Sequence, residues 1–73
     1  KVYPNPTKDY ISVTSERSIK QIILRDITGR IIHQKFLNTG STKIDVTALE
    51  DNIYFLDCLI NNRWEKSKVV VAK

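Results

Sequence analysis

Few groups in this sequence are reactive enough to carry chemistry. They are one thiol, Cys58, one imidazole, His33, and the aspartates Asp9, Asp26, Asp45, Asp51 and Asp57. A thiol nucleophile needs a base or a cation beside it to hold its thiolate. His33 lies far from Cys58 in sequence and Cys58 sits in an apolar run, so Cys58 reads as a small buried residue of a strand. His33 alternates with Ile31 and Lys35 and is expected to face solvent or a half-buried rim. A zinc site wants several His or Cys ligands, and these two are all there are. The aspartates fall mostly at turns, where capping of backbone N–H groups explains them, and the dense spacing of a calcium loop is missing. There is no Gly-x-Ser-x-Gly elbow. Two glycines, Gly29 and Gly40, cannot make a phosphate-cradling loop or a dinucleotide fingerprint. No catalytic residue, no metal and no cofactor is therefore expected, and the chain is not expected to be an enzyme.

What remains is charge. The net charge is +4, and most of it lies in residues 61–73, where Arg63, Lys66, Lys68 and Lys73 stand against Glu65 alone. A basic end can meet phosphates or anionic lipid. Lysines on an outer strand also discourage edge-to-edge pairing. Neither a groove-reading motif nor a stacking aromatic platform accompanies the charge, so nucleic acid is not an expected partner.

The elements that must carry these residues are strands. At 73 residues the chain is one small domain with a thin core. Ile, Val and Thr abound while Met is absent, a composition suited to a pleated, half-buried surface. No apolar run approaches the ~20 residues of a membrane span. A single cysteine gives no internal disulfide. Residue 1 is Lys and no Met occurs, so a module cut from a longer chain is expected. Residues 1–9 contain Pro4 and Pro6 around Asn5 and are expected as a stiff, extended lead-in. Six strands are expected after it, over residues 10–14, 19–27, 30–37, 42–45, 53–60 and 63–72. The intervening turns are Ser15–Ser18, Asp26–Gly29, Asn38–Ser41, Asp45–Leu49 with Asp45 as a cap, Glu50–Asn52, and Asn61-Asn62. Gly29 suits a positive φ, as does the Asn61-Asn62 pair, and Asn52 is the expected left-handed residue of its corner. The run 53–60 is apolar enough to predict a central strand buried on both faces. Together these describe an all-β fold, a small Ig-like antiparallel β-sandwich of six to seven strands, with closure into a barrel as the other arrangement open to it.

Tyr3-Pro4-Asn5-Pro6 followed by Asp9-Tyr10-Ile11, then Ile22-Ile23-Leu24-Arg25-Asp26-Ile27-Thr28-Gly29-Arg30, then Ile44-Asp45-Val46-Thr47-Ala48-Leu49 with Ile53-Tyr54-Phe55-Leu56, and last Lys68-Val69-Val70-Val71-Ala72-Lys73 come in a characteristic order. With these the sequence resembles the type A C-terminal sorting domain of proteins exported by the type IX secretion system of Bacteroidetes-type bacteria. The family usually has Gly where Asn52 stands here. The resemblance implies residues 1–9 as a lead-in joined to an upstream cargo protein and residues 10–73 as the sorting domain. It implies export via the periplasm to the cell surface or to the medium, with the outer-membrane type IX translocon as partner and a sortase-like protease that removes the domain. The candidate recognition residues are Pro4, Asn5, Pro6, Gly29, Asn52, Tyr54, Lys68, Val69, Val70, Val71 and Lys73, with strand addition to the last strand as one mode. An unpaired edge strand is also the feature through which two copies would dimerise. The rival reading is a passive adhesion or carbohydrate-binding sandwich, whose mark would be an exposed row of Tyr3, Tyr10 and Trp64.

Overall fold

Two of the expected turns are bends inside continuous strands. A computed structural model describes residues 1–73, and its strands are β1 (Val2–Tyr3), β2 (Tyr10–Arg25), β3 (Ile31–Asp45), β4 (Asn52–Ile60) and β5 (Arg63–Val71). There is no helix, and the all-β expectation holds. The expectation of six to seven strands in a two-sheet sandwich does not: five strands form one antiparallel sheet that curls on itself. The expected strands 10–14 and 19–27 are one strand, β2, and the strands 30–37 and 42–45 are one strand, β3.

The reason lies at the bend. Ser15–Ser18 contains neither Gly nor Pro, so nothing forces the chain to reverse there. Instead Thr14 pairs with Ser41 and Ile19 with Thr39, so the four residues 15–18 of β2 bulge opposite Gly40 alone. A bulge bends and twists the strand that carries it. Gly40 is what lets the strands approach: a Cβ there would sit 3.0 Å from the Ser15 carbonyl oxygen.

True reversals occur where turn chemistry is local. The Asp26 N–H donates to the Arg30 carbonyl (3.0 Å), and the Gly29 N–H (φ +90°) donates to the Asp26 carbonyl (3.0 Å). Asn61 and Asn62 both take positive φ (54° and 62°) between β4 and β5, as a two-residue hairpin demands. Asn52 does not take it. It opens β4 as an ordinary strand residue and accepts the Ile53 N–H at its side-chain oxygen (2.8 Å), so its corner closes without left-handed backbone.

The curl brings both halves of β2 around one core. Ile11 and Val13 from its first half face Ile22 and Leu24 from its second, with Ile44, Val46, Leu56, Cys58, Val69 and Val71 between them, all buried. β4 lies between β2 and β5, central as expected, but only its even positions are buried. Phe55, Asp57 and Leu59 on the other side are half-buried, because no second layer covers that face. There Asp57 Oδ2 lies 3.2 Å from Arg25 Nε across the strand pair.

Candidate recognition surface

The lead-in is part of the fold. β1 pairs with β2 (Val2 opposite Val13, Tyr3 opposite Ser12), and the chain then crosses to the far edge of the sheet. The Asn5 side chain lies along β5: its Nδ2 donates to the Lys68 carbonyl and its Oδ1 accepts from the Val70 N–H, both at 2.9 Å. A primary amide has the donor and acceptor of a peptide group, so Asn5 stands in for a strand residue. The backbone continues the pattern two residues on, where the Thr7 N–H donates to the Val70 carbonyl (2.9 Å) and the Thr7 carbonyl accepts from the Ala72 N–H (2.8 Å). Thr7 is the one buried polar residue, and its hydroxyl is satisfied by the Tyr10 carbonyl.

The expected recognition residues fall into two groups. Pro4, Asn5 and Pro6 are exposed and lie beside Lys68–Val71. Of that strand, Val69 and Val71 point into the core, Val70 is half-buried, and Lys68 is exposed. Asn52 and Tyr54 lie with Asp26, Thr28 and Arg30 of the Gly29 turn around one shallow cleft of about 450 Å³. Tyr54 is buried, and its hydroxyl donates to the Glu50 carbonyl (2.7 Å). Lys73 is tethered: its Nζ donates to the carbonyls of Val46 (3.2 Å), Thr47 (2.6 Å) and Leu49 (2.7 Å), and its N–H meets the Asp51 carboxylate (3.3 Å).

Cys58, Asp26 and Asp45 are each engaged within the fold. Cys58 is a free buried thiol, and burial pushes it up to about 11, far from thiolate at neutral pH. Asp26 accepts from the Thr28 hydroxyl (2.6 Å), the Thr28 N–H (2.9 Å) and the Arg30 N–H (3.1 Å). Asp45 does the same for Thr47, with its hydroxyl at 2.6 Å and its N–H at 2.8 Å. In both cases the threonine hydroxyl leads in holding the carboxyl below its ordinary value. Tyr3 and Tyr10 are exposed and flank Ser12 in the β1–β2 region, whereas Trp64 stands opposite Leu59 in the β4–β5 hairpin. The three do not share a row, and the mark of the carbohydrate-binding reading is absent. The role of Thr7 carries no signal in sequence, since its partners Val70 and Ala72 are distant and the pairing depends on how the sheet curls.

A comparison with protein families matches residues 1–72 to the model described as a secretion system C-terminal sorting domain. No match was found among curated proteins.

Proposed function

Because the chain belongs to the family of secretion system C-terminal sorting domains, we propose that it is a non-catalytic address label, read by an outer-membrane type IX translocon. It directs an upstream cargo protein, joined ahead of Lys1, through the periplasm to the cell surface or the medium. A sortase-like protease of that pathway removes it at the junction. The fold belongs to this reading as a reduced Ig-like sandwich, in which the two halves of one curled sheet take the place of two sheets. The observation that carries the reading is the family match, which takes in both the lead-in and the last strand. Recognition falls on the group formed by Pro4, Asn5 and Pro6 with Lys68, Val69, Val70 and Val71, and on Gly29, Asn52, Tyr54 and Lys73 at the opposite turns. Val69, Val71 and Tyr54 act there by shaping the surface, since their side chains are buried. Lys68 is the exposed charge at the centre of the first group.

A reporter fused ahead of Lys1 tests this in a type IX-competent host. The full domain is expected to bring the reporter to the surface or the medium, and retention of the reporter inside the cell overturns the sorting reading. Deleting residues 64–73 is a blunt probe, because it removes Val69 and Val71 from the core. Lys68→Glu is the sharper one. Its charge is exposed, so the thermal midpoint should stay within a few degrees of wild type while display falls severalfold. Undiminished display by this variant overturns the role given to the last strand.

A further inference from the structure

The strands at the margins of the sheet are β1, β3 and β5; β1 is two residues long, and β3 is the long margin that is open along its whole length. β2 has β3 on one side and β1 and β4 on the other. β5 has β4 on one side, and over Lys68–Ala72 its other side is taken by Asn5 and Thr7. β3 pairs with β2 and with nothing else, so every second backbone N–H and C=O from Ile31 to Asp45 faces away from the sheet.

The side chains along that edge are mostly basic. From Arg30 to the end of β3 the cations are Arg30, Lys35 and Lys43, and the one carboxylate is Asp45, which ends the strand and accepts the Thr47 hydroxyl and N–H. Lys20 adds a fourth cation from β2, because its Nζ reaches the Asn38 side-chain oxygen on β3 (2.7 Å). Arg30 is engaged by Asp26 (3.4 Å), but Lys20, Lys35 and Lys43 are in no ion pair. Phe36, next to Lys35 in β3, is 78% exposed, more than any other large apolar residue of the chain. A second copy would bring its own Lys35 and Lys43 to this edge with Asp45 as the one carboxylate, and like charges across a strand pair repel. An extended acidic segment would neutralise the lysines, cover Phe36 and pair the open backbone groups.

We propose that the outer edge of β3 is a docking edge for an extended, acidic polypeptide segment, which adds to the sheet as a further strand beside Lys35, Phe36 and Lys43. Main-chain hydrogen bonds hold the segment and the lysines select its charge. This surface lies apart from the last strand, and only its Lys43 end borders the lead-in, beside Pro4 and Thr7; the proposal goes beyond the sorting reading without depending on it.

The probe is a capped peptide of alternating Val and Glu, titrated into the isotope-labelled 73-residue chain and followed by amide chemical shifts and hydrogen exchange. The expected result is new protection at alternate amides of β3 with β5 unchanged. The Val-Lys counterpart should leave the spectrum unmoved. Reversal of both lysines (K35E/K43E) should weaken binding about tenfold at low salt, and added salt should weaken it in wild type. Both lysines are exposed, so the variant is expected to keep the wild-type thermal midpoint, and Phe36→Ser supplies an uncharged second variant that should also bind less well. Protection on β5 instead of β3, binding indifferent to the charge reversal, no binding at millimolar peptide, or self-association of the free chain through β3 overturns the proposal. A fusion that reaches the surface while the peptide fails to bind would leave the sorting reading standing and this one refuted.

Discussion

Single residues in this domain are assigned by what closes their hydrogen bonds. Asp26 and Asp45 each sit two residues before a threonine that donates both hydroxyl and N–H to the carboxylate. Such bonds favour the charged form, and both carboxyls are held below their ordinary 3.8. The sign of the consequence follows. A carboxylate whose acidity is greater in the folded chain contributes stability above its ordinary pKa and loses it as pH falls through that value and below. The double variant D26N/D45N should therefore be less stable than wild type at neutral pH, and its deficit should shrink as pH drops through 3.8. Urea midpoints of the two proteins across that range check it, and Thr28→Val should reproduce part of the effect by removing the leading donor to Asp26. A deficit that stays constant with pH would mean that the carboxylates act only as neutral acceptors. Lys73 follows the same logic at the other end of the chain. Its ammonium gathers carbonyls that the turn at Val46–Leu49 leaves pointing outward, so it fixes that turn as well as lending charge.

Among the elements, β5 shows best what the sequence reveals and what it hides. The Asn61-Asn62 hairpin and the Asp26–Gly29 turn are legible, because the residues that shape them are neighbours. Alternation along β2 and β4 likewise names the buried faces. The Asn5 bridge is not legible, for its partners lie 63 and 65 residues away. Nor is the fusion of four expected strands into β2 and β3, since Ser15–Ser18 is a turn or a bulge according to whether β3 continues alongside. Of the expected recognition residues, composition and turn chemistry gave a local reason for Gly29 but misplaced the backbone of Asn52. The bridge makes a sharp prediction on hydrogen exchange. Even-numbered amides of β5 point away from β4, yet Val70 and Ala72 should exchange slowly while Trp64 and Lys66 exchange fast. Asn5→Ala should release Val70 and spare Ala72, at a cost of about 1 kcal/mol for bonds that water can replace. Asn5→Asp keeps the acceptor and loses the donor, so Val70 should remain protected. Slow exchange at Val70 in the alanine variant would show that the edge is closed by something other than the Asn5 carboxamide.

At the scale of the whole molecule the lead-in closes a circuit. From the second half of β2 the sheet runs through β4 to β5. From β5 it passes by Thr7 and Asn5 to β1, and from β1 back to the first half of β2. The core inside that circuit is a single cluster, so opening the circuit anywhere exposes residues from both halves. This ties the segment nearest the proposed cargo junction mechanically to the last strand. Removing residues 1–7 should therefore act on the far side of the fold. Besides the β1–β2 pairing it takes away the two bonds of Asn5 and the two of Thr7 along β5, worth together roughly 2–6 kcal/mol. In a domain of this size each kcal/mol moves the thermal midpoint by roughly 4–8 °C. The shortened chain should thus melt well below the full one, and melting followed by circular dichroism reads this directly. It should also present the Val70 backbone as a free edge, and sedimentation should then report self-association that the full chain lacks. The charge-reversed K35E/K43E chain supplies the contrast, since its β5 edge stays covered and its state of association should follow wild type. Equal midpoints for the full and shortened chains would make residues 1–7 a tether laid on a finished fold, and the circuit would then owe nothing to them.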